Sequence, residues 1–382
     1  MFYSSSALHV EREWSTVSVD KEWGAQEDVE GSESDIRDTV FISNQKPSFA
    51  LSCTDPVLFA EFAPFDWCSD LICITFEERI VIGQLKKQDR NSGTEGGGEG
   101  KYINFLRTFV HIHGSPTCLC WNPATLSHAE PSKVCLSVCI GCKDHKLRVF
   151  SSNLGDKEHN VVVLEGHTDF INTAMYHPEG HILATGSDDF TCRIWNVKND
   201  YECQAVLNLH TMVMAVRFTV HCPDHFLVAV KSGKIHLFSL NSKRPLKTFY
   251  CEEEPLLMAD WSLDSRDYLA AAIGDDLLWW DMSGSEASSS FPVEKRPTLL
   301  QRGQYVCFAP WSHKIVATFG GPEPQFRIKV FSLTELKDPL FSTTVKWRPW
   351  NLSWHKRVPI LCAGVGKRLC FWELSHLRML GE

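Results

Sequence analysis

Two registers of bulky residues repeat in phase along the 382 residues of this chain, and they limit the folds open to it. The first is a strand-like segment of the form apolar, any, apolar, bulky, any, apolar. It occurs at residues 80–85, 147–150, 192–197, 235–240, 277–282, 328–333 and 369–374, with Gly83, Phe150, Trp195, Phe238, Trp280, Phe331 and Trp372 at the bulky position. The second register lies upstream in every unit, where Phe62, Trp121, Tyr176, Phe218, Trp261, Phe308 and Trp354 end an earlier run, often just before a proline. Between the two lies a short apolar run that ends in Gly or Asp, such as 183–186 or 269–274, and a further strand-like piece follows each anchor. Every unit therefore supplies four short strands, mostly within a period of 41–51 residues. A period of that length with that content cannot bury its apolar surface alone and must stack on its neighbours.

Four-stranded units stacked in this way are the blades of a propeller, so the chain is expected to be all-β, a seven-bladed β-propeller. Blades covered on both faces explain why the strands read as continuous apolar runs, and the bulky anchors fill the wedges between twisted sheets. An open ring would leave unpaired strand edges. Too little chain follows Leu374 to supply an outer strand, so the segment 47–53 is expected to pair beside 367–374 and close the ring. The domain reading is then an acidic arm at 1–46, a propeller at 47–376 and a tail at 377–382. Within the first blade, 86–100 holds five glycines and reads as a mobile loop; Trp14 and Trp23 of the arm could form a short docking motif.

Charge narrows the range of partners. The net charge of −9 is concentrated in residues 1–50, which hold ten acidic and four basic residues, so the ring itself is nearly neutral. With no basic stripe and a pI near 6.0, direct binding of nucleic acid is not expected. Fifteen cysteines, an odd number placed mostly in strand-like runs, suit free thiols in a reducing compartment. The N-terminus lacks an apolar core of signal-peptide length, and no run approaches a membrane span. The expectation is an intracellular protein with no membrane insertion.

The third unit carries Gly166-His167, Thr185, Asp189 and Trp195-Asn196, and here the chain resembles the WD40 repeat, with Asn196 where an Asp is usual. The resemblance implies a hydrogen-bonded structural relay of His167, Thr185, Asp189 and Trp195. A closer resemblance rests on residues 163–172 and 188–196, together with 56–65, 106–109, 295–297 and 352–355. Over roughly residues 48–374 the chain is similar to the small WD-repeat nucleoporins of the outer-ring Y complex of the nuclear pore. That likeness implies a non-catalytic scaffold docked on a large scaffold nucleoporin, and a location at the nuclear envelope. It also implies a part in transport of protein and messenger RNA, and an association with kinetochores in mitosis. The alternative is a WD40 adaptor of another nuclear complex, a ubiquitin-ligase substrate receptor or a chromatin reader.

Several residues have the membership of other chemistries. His167 with Thr185 or Ser187 and Asp189 has the membership of a catalytic triad, but the structural relay accounts for the same residues and no nucleophile elbow is present. Cys135, Cys139 and Cys142, and His111, His113, Cys118 and Cys120, are zinc-type donors, yet their spacing is loose and small buried cysteines are ordinary core residues. No catalytic residue, metal, cofactor or small-molecule substrate is therefore expected. What remains is surface: Phe170 and Phe190 on one rim of the third blade, Phe65 and Trp67 on the opposite rim of the first, and Trp347 and Trp350 where the last blade begins. Exposed aromatic residues of this kind are preferred anchors for protein partners.

Overall fold

The computed structural model describes residues 42–43, 45–87, 101–110, 114–125, 135–153, 159–251, 255–265, 267–282, 294–297, 303–333 and 338–380. Runs of Val, Ile, Leu, Phe and Cys are extended, and turns rich in Gly, Asp, Asn and Pro separate them. Among the described residues, two strands, β1 (Ile42–Ser43) and β2 (Phe49–Ser52), precede the first blade. Blade 1 is β3 (Phe59–Phe62), β4 (Leu71–Thr75), β5 (Arg79–Lys87) and β6 (Lys101–Val110). Blade 2 is β7 (Pro116–Trp121), β8 (Cys135–Cys142), β9 (Leu147–Asn153) and β10 (Asn160–Leu164). Blade 3 is β11 (Ile171–Tyr176), β12 (Ile182–Ser187), β13 (Thr191–Asn196) and β14 (Glu202–Asn208). Blade 4 is β15 (Val213–Phe218), β16 (His225–Val230), β17 (Lys234–Ser239) and β18 (Pro245–Tyr250). Blade 5 is β19 (Leu256–Trp261), β20 (Tyr268–Ile273), β21 (Asp276–Asp281) and β22 (Glu294–Pro297). Blade 6 is β23 (Gly303–Phe308), β24 (Ile315–Gly320), β25 (Phe326–Ser332) and β26 (Phe341–Val345). Blade 7 is β27 (Ser353–Trp354), β28 (Ile360–Val365) and β29 (Arg368–Glu373).

Each blade is an antiparallel meander, and the first strands of successive blades lie side by side around the axis. Blade 7 takes its outer strand from the N-terminal side: Phe49 faces Phe371 and Ser52 faces Arg368 in an antiparallel β2–β29 ladder. The rings of Phe49 and Phe371 stack at 4.3 Å. Along the axis, Asn351 exchanges two hydrogen bonds with the backbone of Ala60, and Ser353 accepts the Phe62 amide, so blades 7 and 1 are joined at both edges.

Three boundaries differ from the sequence reading. Within the expected arm at 1–46, Ile42 and Ser43 pair in parallel with Phe341 and Ser342, making a fifth strand on blade 6; Gln45 also accepts hydrogen bonds from Thr343 and Trp372. Lys86 and Lys87, expected in the glycine-rich loop, extend β5 opposite Tyr102 and Lys101, and 88–100 lie outside the described residues. At the other end, Ser375–Leu380 form a 3₁₀ turn that buries Leu377, expected in the tail, beneath blade 7.

The apolar cores sit between blades rather than within them. One cluster joins blades 7 and 1, another blades 1 and 2, and the rest continue around the ring. Phe62, Trp121, Tyr176, Phe218, Trp261, Phe308 and Trp354 each end a first strand and are buried. The anchors of the other register fall in the third strands, and every bulky one is buried. Each such ring contributes roughly 1.5–3 kcal/mol by leaving water. Gly83 has its own explanation: a Cβ there would collide with the Ile103 side chain, so the partner strand supplies the bulk that this unit lacks.

Polar contacts at the turns after the first strands tie neighbouring blades together. Trp67 Nε1 donates to Thr125 O at 2.9 Å, and Asn122 and Tyr176 both meet Tyr201 Oη. His177 donates to Pro223 O, His313 meets Asp264, and His355 meets Asp70. Trp311 and Trp354 complete the belt edge to face between blades 6 and 7.

Candidate functional site

The residues of blade 3 with catalytic-triad membership form a closed chain of hydrogen bonds. Trp195 Nε1 donates to Thr185 Oγ1 at 2.9 Å, and Thr185 Oγ1 meets His167 Nε2 at 2.8 Å. His167 Nδ1 then reaches Asp189 Oδ2 at 2.8 Å. Because the Asp189 carboxylate can only accept, the proton of the neutral imidazole sits on Nδ1, and the Thr185 hydroxyl donates to Nε2. Burial holds the His167 pKa below its ordinary value, outweighing the pull of Asp189. Although burial acts the other way on Asp189, hydrogen bonds from Thr191, His167 and Thr168 hold its carboxyl below the ordinary range. Thr185 has no exposed surface, and Ser187 instead donates to Asp169 O. A neutral histidine with both nitrogens engaged and a sealed hydroxyl is braced to join strands β12 and β13 to the loop before β11.

Loops after the second and fourth strands make one rim, here the upper, and those after the first and third make the lower. Phe170, on the loop before β11, is 40% exposed and lies edge-on to His145 of blade 2. Phe190, in the β12–β13 turn, is 44% exposed with φ of 68°. A left-handed backbone suits Gly, Asn or Asp there, and a bulky residue costs roughly 1–2 kcal/mol. Both aromatics project from the upper rim, as do Trp347 and Trp350, 66% and 50% exposed, between β26 and β27. Phe65 and Trp67 lie on the lower rim and stack on each other at 5.0 Å. Trp67 is anchored to Thr125 and Phe65 packs against the core between blades 1 and 2, so this pair chiefly closes a seam.

The metal-type clusters are divided by the pleat. Cys118, Cys120 and Cys139 enter the core between blades 2 and 3, whereas Cys142, three residues on, enters that between blades 1 and 2. His111 and His113 lie outside the described residues. Sequence spacing does not single out His177, Glu179 and His181, which gather at the edge of a cleft of about 380 Å³ between blades 3 and 4. His177 is already committed there: its Nδ1 accepts the Glu179 amide at 3.1 Å and its Nε2 donates to Pro223 O at 2.9 Å. His355 makes the corresponding pair of contacts in blade 7. Both histidines brace turns.

Also missed from sequence is a polar cluster at the axis. Arg217 of β15 pairs with Asp260 of β19 at 2.8 Å, and Asp260 in turn accepts the Phe308 amide. Glu61 of β3 stands near enough to interact with Arg217, but burial pushes its carboxyl up to about 8. Single charged residues on strands give no sequence signal of this kind, because only ring closure brings blades 1, 4 and 5 together.

Seven four-stranded blades, outer-strand closure and the braced histidine of blade 3 define a WD40-type β-propeller. Residues 158–196 match the family described as WD domain, G-beta repeat. Across a much longer span the chain is similar to Nucleoporin Nup37 of mouse and of human, 31% and 32% identical over 339 residues, covering 86% of this chain and 98% of each relative. The fruit-fly protein of the same name is 29% identical over 333 residues. The chain belongs to the Nup37 family of WD-repeat nucleoporins.

Proposed function

We propose that this propeller is a non-catalytic scaffold subunit of the nuclear pore's outer-ring Y complex, docked on a large scaffold nucleoporin. Its role is then to support pore assembly and the passage of protein and messenger RNA, with kinetochore association in mitosis. The observation that carries this reading is the match to Nup37 along 98% of that protein, which leaves no room for a different module in the shared part. The surface chemistry supports it. Phe170 and Phe190 project from one rim of one blade, and Phe190 does so from an unfavourable backbone conformation. Such a residue is retained where the exposed ring has work to do. Trp347 and Trp350 form the second projecting pair on that rim, whereas Phe65 and Trp67 are spent largely on the seam between blades. His167, locked and neutral, has no free proton or lone pair with which to do chemistry.

Affinity purification of the tagged full chain from nuclear-envelope extract tests the proposal. Outer-ring nucleoporins should be recovered, and Phe170→Ala with Phe190→Ala should lose them while the melting curve is retained. Recovery of cullin or histone proteins in place of pore subunits would overturn it.

A further inference from the structure

We infer that the acidic N-terminal arm of this chain docks on the basic, tryptophan-bearing upper rim between blades 6 and 7. This goes beyond the pore assignment and does not depend on it.

The surface is built by the loop that leaves β26. Lys346, Trp347, Arg348 and Trp350 are all exposed, and only Pro349 among them is buried. Such a stretch is unusual, because one indole is offered to water between two cations and a second two residues beyond them. Local packing holds them in place. Gly366, in the β28–β29 turn with φ of 58°, lies so close beneath Trp347 that a Cβ would meet its ring at 2.8 Å. The Arg348 guanidinium stands 5.6 Å from the centroid of the Trp350 ring, whose other neighbour is Phe59 at 6.2 Å. Lys367 is exposed in the same turn as Gly366, and half-buried Arg368 follows it. Asp55, on the loop that meets this turn through the Val57–Gly366 and Cys53–Lys367 backbone bonds, is already paired with Arg79 at 2.9 Å. The patch is thus positively charged, with flat apolar faces held open.

The complementary sequence is present in the same chain. Residues 1–41 contain ten acidic and three basic residues. Their two tryptophans sit in matching tetrapeptides nine residues apart, Glu11-Arg12-Glu13-Trp14 and Asp20-Lys21-Glu22-Trp23. Each is acid, base, acid, Trp, with a net negative charge to set against the two cations of Lys346-Trp347-Arg348 and an indole of its own to stack. Carboxylates on the lysines and arginine, and indole on indole or guanidinium, are the contacts that this pairing permits.

Connectivity favours this occupant over an acidic segment from elsewhere. The arm joins the ring at Ile42, opposite Phe341 at the lower end of β26, and the patch begins one strand height above, where β26 passes into Lys346. From Trp23 to Ile42 the chain can span up to about 60 Å when extended, against about 20 Å for the height of a six-residue strand. A tether of that length holds the arm at roughly millimolar effective concentration, enough for weak polar contacts to be occupied.

Zero-length carbodiimide crosslinking of the dilute full chain reads this contact, since it joins a carboxylate to a lysine amine only when the two meet. In the monomer band, Glu11, Glu13, Asp20 or Glu22 should be linked to Lys346 or Lys367. These links should fall severalfold in Trp14→Ala with Trp23→Ala, which leaves the ring residues untouched, and should also fall at high salt. Trp347→Ala with Trp350→Ala should weaken them equally, its fold checked by melting. Carboxylates of the arm linked evenly to lysines around the ring would overturn the inference, as would links indifferent to the Trp14 and Trp23 changes or links confined to a dimer band.

Discussion

His167 shows how a residue's chemistry follows from what encloses it. With Thr185 sealed and Asp189 bonded to Thr191 and to the Thr168 amide as well as to the imidazole, the group gains cohesion rather than reactivity. His167→Ala is expected to lower stability by about 1–3 kcal/mol, because it removes one hydrogen bond each from Thr185 and Asp189 in a buried site. The loss should depend on pH in a defined sense. The folded pKa lies below the unfolded value, so the unfolded chain takes up the proton first and wild-type stability declines as pH falls below about 6.5. Denaturant titrations of the two proteins should therefore show their largest gap above pH 7 and a narrowing gap toward pH 5. A gap that widens on acidification would contradict the neutral imidazole. The membership of this relay was legible in the sequence, because its spacing matches a known repeat. The left-handed backbone of Phe190 was not, since aromatic residues carry no preference for that conformation.

At the scale of elements, ring closure depends on strands that are far apart in the chain. Lacking residues 1–41, the protein keeps β1 and β2, and it should melt like the full chain. Removal of residues 1–56 takes away the Phe49–Phe371 stack and buried Leu51 and bares the edge of β29. An unpaired edge is a template for aggregation, so the shorter protein should unfold at lower temperature or precipitate. Calorimetry of the two truncations checks this, and equal melting temperatures would show that the N-terminal strand does not hold the ring shut. The pairing of β2 could be read from sequence because a blade lacked its outer strand and one apolar run remained unassigned. β1 could not be read in this way: two residues carry no period, and a parallel fifth strand on blade 6 answers no deficit in the repeat. The same limit applies to the belt of His177, His313 and His355. Each is one polar residue in a turn, and its partner lies in an adjacent blade.

The whole molecule accounts for the cysteines. Ten of the fifteen are buried and the other five, Cys135, Cys203, Cys222, Cys251 and Cys307, are only half-buried; none is in a disulfide. They occupy the clefts between blades, where a small apolar side chain fits beside the large anchors. Burial raises the thiol pKa to about 12 for Cys53, Cys68, Cys251 and Cys370 and to about 11 for Cys142. Since the thiolate is the reactive form, these thiols are protected twice, by enclosure and by protonation. A thiol-reactive dye at neutral pH should therefore label at most the five half-buried positions of the native protein quickly, and all fifteen after guanidinium unfolding. The remaining ten test the ring as a unit. Because each core is shared by two or more blades, one blade cannot open without stripping its neighbours. The buried thiols of blades 1, 2, 3 and 7 should then react together, at one slow rate that rises with denaturant. Mass spectrometry of the labelled protein resolves the alternatives, and if Cys362 and Cys370 of blade 7 were labelled well before Cys118 and Cys192, the ring would be opening at its closure rather than unfolding as a whole.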